Sequence, residues 1–121
     1  MAKIAVVDDE QEILDMLQRF LSRREELEID TYSNPEAALN TLLRGQYDLI
    51  ISDIMMPEMD GVDLLKKIKE NNPSQKVIIM TAFSTEHRII ECDSLGADEY
   101  VTKPFISLRD VENKVLDILG K

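Results

Sequence analysis

Five residues of this chain carry chemistry, and each comes directly after a short apolar run. Ile4-Ala5-Val6-Val7 ends at Asp8-Asp9, Leu49-Ile50-Ile51-Ser52 at Asp53, Val77-Ile78-Ile79-Met80 at Thr81, and Tyr100-Val101-Thr102 at Lys103-Pro104. Brought together, these endings supply three carboxylates, a hydroxyl and an ammonium. Clustered carboxylates share a proton as an acid/base pair, cap helices, or hold a hard divalent cation. Asp9 has a local explanation, because with Glu12 it makes a D-x-x-E pattern at a helix start. Asp8 and Asp53 have none, since a charge after an apolar strand serves no local purpose. Two such charges about 4 Å apart repel by about 4 kcal/mol at an effective dielectric of 20. A cation relieves that repulsion, and oxygen-only ligands favour Mg2+. A metal, the Lys103 ammonium and the Thr81 hydroxyl are the parts that phosphoryl transfer requires. A carboxylate can itself be the nucleophile, which gives an aspartyl phosphate. Asp53, central and without a capping role, is the best candidate on position; spacing alone does not separate nucleophile from ligand.

The elements that must position these groups follow from the pattern. Short Ile/Val-rich runs alternating with longer helical periodicities read as buried parallel strands, near residues 3–8, 28–32, 47–53, 76–81 and 98–102. Helices fit near 10–24, 35–44, 61–71, 85–95 and 108–119, with Asn34 before Pro35, Asp60 and Ser107 as further candidate caps and Gly45 and Gly96 as stops. Five βα units in strict alternation imply an α/β, doubly wound, five-stranded parallel sheet. The chain is too short for the six-stranded dinucleotide form, so the flavodoxin-like order 2-1-3-4-5 is expected. In that order the strands bearing Asp8, Asp9 and Asp53 are neighbours at the switch point. The first and last helices carry wide apolar stripes. The fourth has only Ile89, Ile90 and Leu95, with Asp93 where another apolar residue would help, and is expected to be the least firmly packed.

With 121 residues, 44% apolar and 31% charged content, the chain is expected to be one domain, residues 1–121. Its net charge of −10 repels phosphate backbones, so direct nucleic-acid binding is not expected. No apolar run approaches the ~20 residues needed to span a bilayer. Met1-Ala2-Lys3 runs straight into a strand without a leader, and a cytoplasmic location follows as the default. Cys92 reads as a small buried apolar residue and His87 as a solvated one. The glycines at 45, 61, 96 and 120 make neither a dinucleotide fingerprint nor a P-loop.

Four stretches then point to a family: Val6-Val7-Asp8-Asp9-Glu10, Asp53 through Gly61, Met80-Thr81-Ala82, and Gly96-Ala97-Asp98 through Lys103-Pro104-Phe105. In this order, each at a strand end, they closely resemble a response-regulator receiver domain of two-component signalling. The resemblance covers essentially the whole chain. It implies that Asp53 accepts a phosphoryl group from a sensor histidine kinase or a histidine phosphotransfer protein. It implies Asp8 and Asp9 as the acidic pair holding Mg2+ with Asp53, and the backbone carbonyl of Met55 as a further ligand. Thr81 resembles the switch hydroxyl, Tyr100 the aromatic that moves inward with it, and Lys103 the lysine that contacts the phosphoryl oxygens. Pro104 would follow a cis bond, and Pro57 and Gly61 would shape the loop after Asp53.

On this resemblance the chain is a signalling switch that catalyses only its own phosphorylation and dephosphorylation. Phosphorylation would alter the face made by the fourth helix, fifth strand and fifth helix, and with it the choice of a downstream protein target. With nothing after residue 119 to serve as an output domain, a free-standing switch or relay is expected. Two alternatives are an aspartyl-phosphate phosphatase acting on external substrates and a phosphate-independent receiver-like scaffold. The phosphatase would want a second carboxylate where Met55 stands, and the scaffold implies a missing site residue, whereas none is missing. Met55 and Phe83 should overhang the phosphoryl site, and neither can orient a water, so slow self-dephosphorylation is expected.

Overall fold

The computed structural model describes residues 1–57, 59–81, 86–103 and 107–120, with the side chains of 86–89 excepted. Five strands, β1 (Ala2–Val7), β2 (Leu27–Tyr32), β3 (Leu49–Asp53), β4 (Val77–Thr81) and β5 (Glu99–Thr102), alternate with five helices. These are α1 (Gln11–Leu21), α2 (Pro35–Leu43), α3 (Gly61–Asn71), α4 (Glu86–Ser94) and α5 (Leu108–Leu119). The strands form one parallel sheet in the expected order β2-β1-β3-β4-β5.

Period-two alternation divides the apolar strand residues between two cores. Ile4, Val6, Leu49, Ile51, Ile78 and Met80 face Leu14, Leu17 and Leu21 of α1 and Val111 and Val115 of α5. Ala5, Val7, Ile50, Val77 and Ile79 face Ala38 and Leu42 of α2, Leu64, Leu65 and Ile68 of α3, and Cys92 of α4. Burial on both faces is why these strands read as unbroken apolar runs rather than alternating ones. On the first face a buried Glu112 of α5 also accepts from Arg23 at 2.8 Å and Arg24 at 3.0 Å, joining α5 to the segment after α1.

Three expected caps are in place. Asn34 Oδ1 accepts from the N–H groups of Glu36 and Ala37, Asp60 Oδ1 from that of Val62, and Ser107 Oγ from that of Asp110. The fourth is corrected. The residue at the N-cap of α1 is Glu10, with no side-chain cap, not Asp9. Asp8 Oδ1 instead takes the Glu10 N–H at 2.9 Å, turning the chain one residue later. That leaves the Asp9 carboxylate exposed and removes its local explanation. The third strand also starts later than expected, at Leu49. Ahead of it, Asp48 Oδ2 accepts the Lys3 N–H and Tyr47 donates its hydroxyl to Asp30. In α4, Cys92 is buried whereas Ile90 is 65% exposed.

Candidate functional site

Register brings the strand ends to one edge. Val7 pairs with Ser52, so Asp8 and Asp53, the next residues on each strand, emerge side by side; Asp53 pairs with Met80, so Thr81 follows; Thr81 pairs with Thr102, so Lys103 follows. The Lys103 backbone N–H donates to the Thr81 carbonyl at 2.7 Å, which extends the ladder to the lysine itself.

Lys103 is the hub of the crevice. Its ammonium, on a side chain only 7% exposed, donates to Asp8 Oδ2 at 2.5 Å, Asp53 Oδ2 at 3.2 Å and Glu10 Oε1 at 3.3 Å. Asp8, Asp53 and Thr81 are buried, while Asp9 and Glu10 open to solvent. Carboxylate oxygens of Asp8, Asp9, Glu10 and Asp53 all lie within 4.8 Å of one another. Burial, the largest influence, pushes the Asp8 and Asp53 carboxyls above the usual carboxylate range against the opposing pull of Lys103. Burial works against the Lys103 charge too, but hydrogen bonding to Asp8 and the charges of Asp53 and Asp8 outweigh it, and its pKa is raised. Among the described residues, four carboxylates therefore face one ammonium. An oxygen-only donor set with surplus negative charge suits a hard divalent cation such as Mg2+, and among the described residues no His or Cys joins the group to favour a softer one.

The loop after Asp53 is held by backbone contacts. The Met55 N–H donates to Asp53 Oδ1 at 3.3 Å, Ile54 donates to the Met80 carbonyl, and Gly61 donates to the Ile54 carbonyl at 2.8 Å. At Gly61 a β-carbon would sit 2.3 Å from the Asp53 carbonyl oxygen and 2.5 Å from Ile54 Cα. Glycine is thus required by close backbone approach. Gly61→Ala is expected to lower unfolding stability by about 1–3 kcal/mol, read by denaturant titration. An unchanged midpoint would mean that the loop yields freely.

The structure brings together Asp8, Asp9, Asp53, Thr81 and Lys103 at one edge. Met55 follows with its side chain 60% exposed over the loop. Tyr100 stands on β5, half-buried. The expectations for Pro104 and Phe83 lie outside the described residues. Sequence reasoning missed Glu10 as the fourth carboxylate. Its only signal was adjacency to Asp8-Asp9, because the geometry that sends it back to Lys103 is the same turn that displaced the helix cap.

This fold and edge define a class of protein. The family model of the response regulator receiver domain matches residues 4–115, and the chain belongs to that family. The response regulator SaeR of Staphylococcus aureus is 37% identical over 121 residues, which is all of this chain and 52% of SaeR. The chain thus spans about half the length of the curated relatives it matches. Among solved structures, a CheY-like receiver domain protein from Methanospirillum hungatei is similar with a TM-score of 0.92 at 28% identity, covering 99% of this chain and 94% of that one. The response regulator TrrA of Thermotoga maritima, in complex with Mg(2+)-BeF, is similar with a TM-score of 0.85 at 37% identity, covering 98% and 99%. The chain is therefore a receiver domain of two-component response regulators, a class built around a phosphorylation-dependent switch. No helix among the described residues is long and apolar enough to cross a membrane.

Proposed function

We propose that Asp53 is the phosphoacceptor of a switch charged by a histidine kinase or a histidine phosphotransfer protein. The single observation that carries the reading is the Lys103 ammonium bridging Asp8 and Asp53 inside the acidic crevice. An Asp53 carboxylate oxygen attacks the phosphorus of a phosphohistidine, the P–N bond breaks, and the acyl phosphate forms on Asp53. Lys103 is placed to shift its contact from the Asp53 carboxylate to the phosphoryl oxygens, and the Thr81 hydroxyl to donate to them. Asp8, Asp9, Asp53 and the Met55 carbonyl would hold Mg2+, with Glu10 beside them. Bound there, the metal neutralises the charge that develops on the phosphoryl oxygens. The similarity to TrrA, whose structure contains magnesium and a beryllium fluoride, supports this assignment.

On this reading the chain acts catalytically on its own aspartyl phosphate and on no external substrate. Thr81 turning toward the phosphoryl group leaves room that Tyr100 fills, and the α4–β5–α5 face changes its preference for a downstream protein. A cytoplasmic location agrees with a single buried cysteine and with a kinase donor. Incubation with magnesium and acetyl phosphate is expected to add one phosphoryl group by intact mass, and Asp53→Asn to abolish the addition. No mass gain in the parent chain, or a gain that survives the substitution, would remove Asp53 from the role.

The exposed Met55 side chain supports slow self-dephosphorylation, since a thioether offers an attacking water no useful hydrogen bond. Met55→Asn is expected to shorten the phosphoryl lifetime by about tenfold, the worth of one hydrogen bond to that water. An unchanged decay, followed after removal of the phosphodonor, would dismiss the thioether as the cause.

A further inference from the structure

Asp93 is a misfit by helical rules. It lies in the last turn of α4, where a negative charge meets the negative end of the helix dipole and no basic residue shares the turn. It is exposed and sits at a position where the sequence pattern asked for an apolar residue. Its contact in the structure is specific: the Tyr100 hydroxyl donates to Asp93 Oδ1 at 2.9 Å. The Tyr100 ring packs against the core shared by α2, α3 and α4, and its backbone carbonyl accepts from Lys114 Nζ at 2.9 Å. The side-chain bond therefore draws the hydroxyl end of the ring out to an exposed acid on α4, while Lys114 ties the backbone of the same residue to α5.

We propose that Asp93 is a latch on the tyrosine switch: the ring with its hydroxyl bonded to this exposed acid is the outward orientation, and the bond sets how much free energy phosphorylation must supply to bring the ring inward. The inference rests on the switch reading above and adds a positioning residue to it. A carboxylate is a stronger acceptor for a phenol than water or a neutral group, so an acid at this one position biases the ring where an apolar residue would not. By linkage, whatever stabilises the outward state weakens binding of any ligand that favours the inward one, by the same factor. Releasing the latch raises the inward population and tightens binding of a phosphoryl mimic at Asp53, although Asp93 touches no group of the acidic crevice in this structure. One hydrogen bond to a charged acceptor at a solvated site corresponds to about a three- to tenfold change.

The test titrates the parent chain, Asp93→Ala, Asp93→Asn, Tyr100→Phe and the Asp93→Ala/Tyr100→Phe double variant with beryllofluoride at fixed magnesium. Tyrosine ring resonances in the NMR spectrum are followed alongside, with the Tyr100 signal assigned by its loss in Tyr100→Phe. Asp93→Ala is expected to tighten beryllofluoride binding three- to tenfold. Before any ligand is added, it should also move the Tyr100 resonance toward its bound position. Asp93→Asn, which keeps an acceptor oxygen, should fall between Asp93→Ala and the parent. In the Tyr100→Phe background, Asp93→Ala should change nothing, because the hydroxyl it serves is gone. An equal effect in both backgrounds, or none in the parent, overturns the latch while leaving the phosphoacceptor assignment standing. Failure of beryllofluoride to bind any variant, the parent included, overturns the phosphoacceptor assignment and the latch with it.

Discussion

Lys103→Met is expected to slow phosphoryl transfer from acetyl phosphate to Asp53 by about 10²–10³-fold, the usual loss when one preorganised donor to a developing anion is removed. Methionine keeps much of the buried stem and deletes the ammonium. The structure separates two consequences of that deletion. On the proposed reading the Lys103 ammonium meets the phosphoryl oxygens, so the rate should fall. It is also the charge that now partly satisfies Asp8, Asp53 and Glu10, so its loss leaves those acids with more unbalanced negative charge. Magnesium binding should therefore be retained or tightened in the same variant. Opposite movement of rate and metal affinity is the signature, measured by mass-detected phosphorylation kinetics and by magnesium titration. Parallel loss of both would show instead that Lys103 organises the pocket.

Magnesium is expected to raise the melting temperature of the parent chain, and acid to remove the rise. A ligand that binds only the folded state stabilises by about 2.7 kcal/mol at one hundred times its Kd, several degrees for a domain of this size. The sign of the pH dependence follows from burial. Asp8 and Asp53 titrate above the ordinary carboxylate value of 3.8, so the folded chain holds their protons at pH values where the unfolded chain has released them. Their contribution to stability is complete below the unfolded value and is lost as pH rises through the folded ones. At neutral pH without metal the ionised Asp8 and Asp53 thus work against the fold, the charged Lys103, whose own pKa is raised by them, offsets part of that, and a bound magnesium would offset more. On acidification protons compete with the metal for these carboxylates, and the magnesium-dependent rise should disappear. Asp8→Asn should raise the metal-free melting temperature at neutral pH and remove most of the response to magnesium. Melting curves with magnesium and with chelator check both statements; a full magnesium response in Asp8→Asn would exclude Asp8 as a ligand.

What could be read along the chain was periodicity and adjacency. Runs such as Ile4–Val7 and Val77–Met80 are apolar at every position because a parallel strand here is covered on both faces, and that signal is local. The alternation of such runs with helices limits the sheet to few orders, and the order limits which strand ends meet. Asp8, Asp53, Thr81 and Lys103 were legible for this reason, since each is the residue at which an apolar strand stops. Asn34, Asp60 and Ser107 were legible because a cap bonds only to residues two or three positions on.

Contacts between distant segments left no such trace. That Asp8 and Glu10 share one ammonium depends on Lys103, which arrives from 95 and 93 positions away. The requirement for glycine at 61 exists only because the chain returns against the carbonyl of Asp53. Asp93 looked like a flaw in a helix until β5 placed the Tyr100 hydroxyl beside it. Strand, helix and cap are short-range consequences of residue type. The partners of a buried charge are chosen by the packed chain, because the cost of leaving that charge unpaired is met only by whichever group the fold delivers.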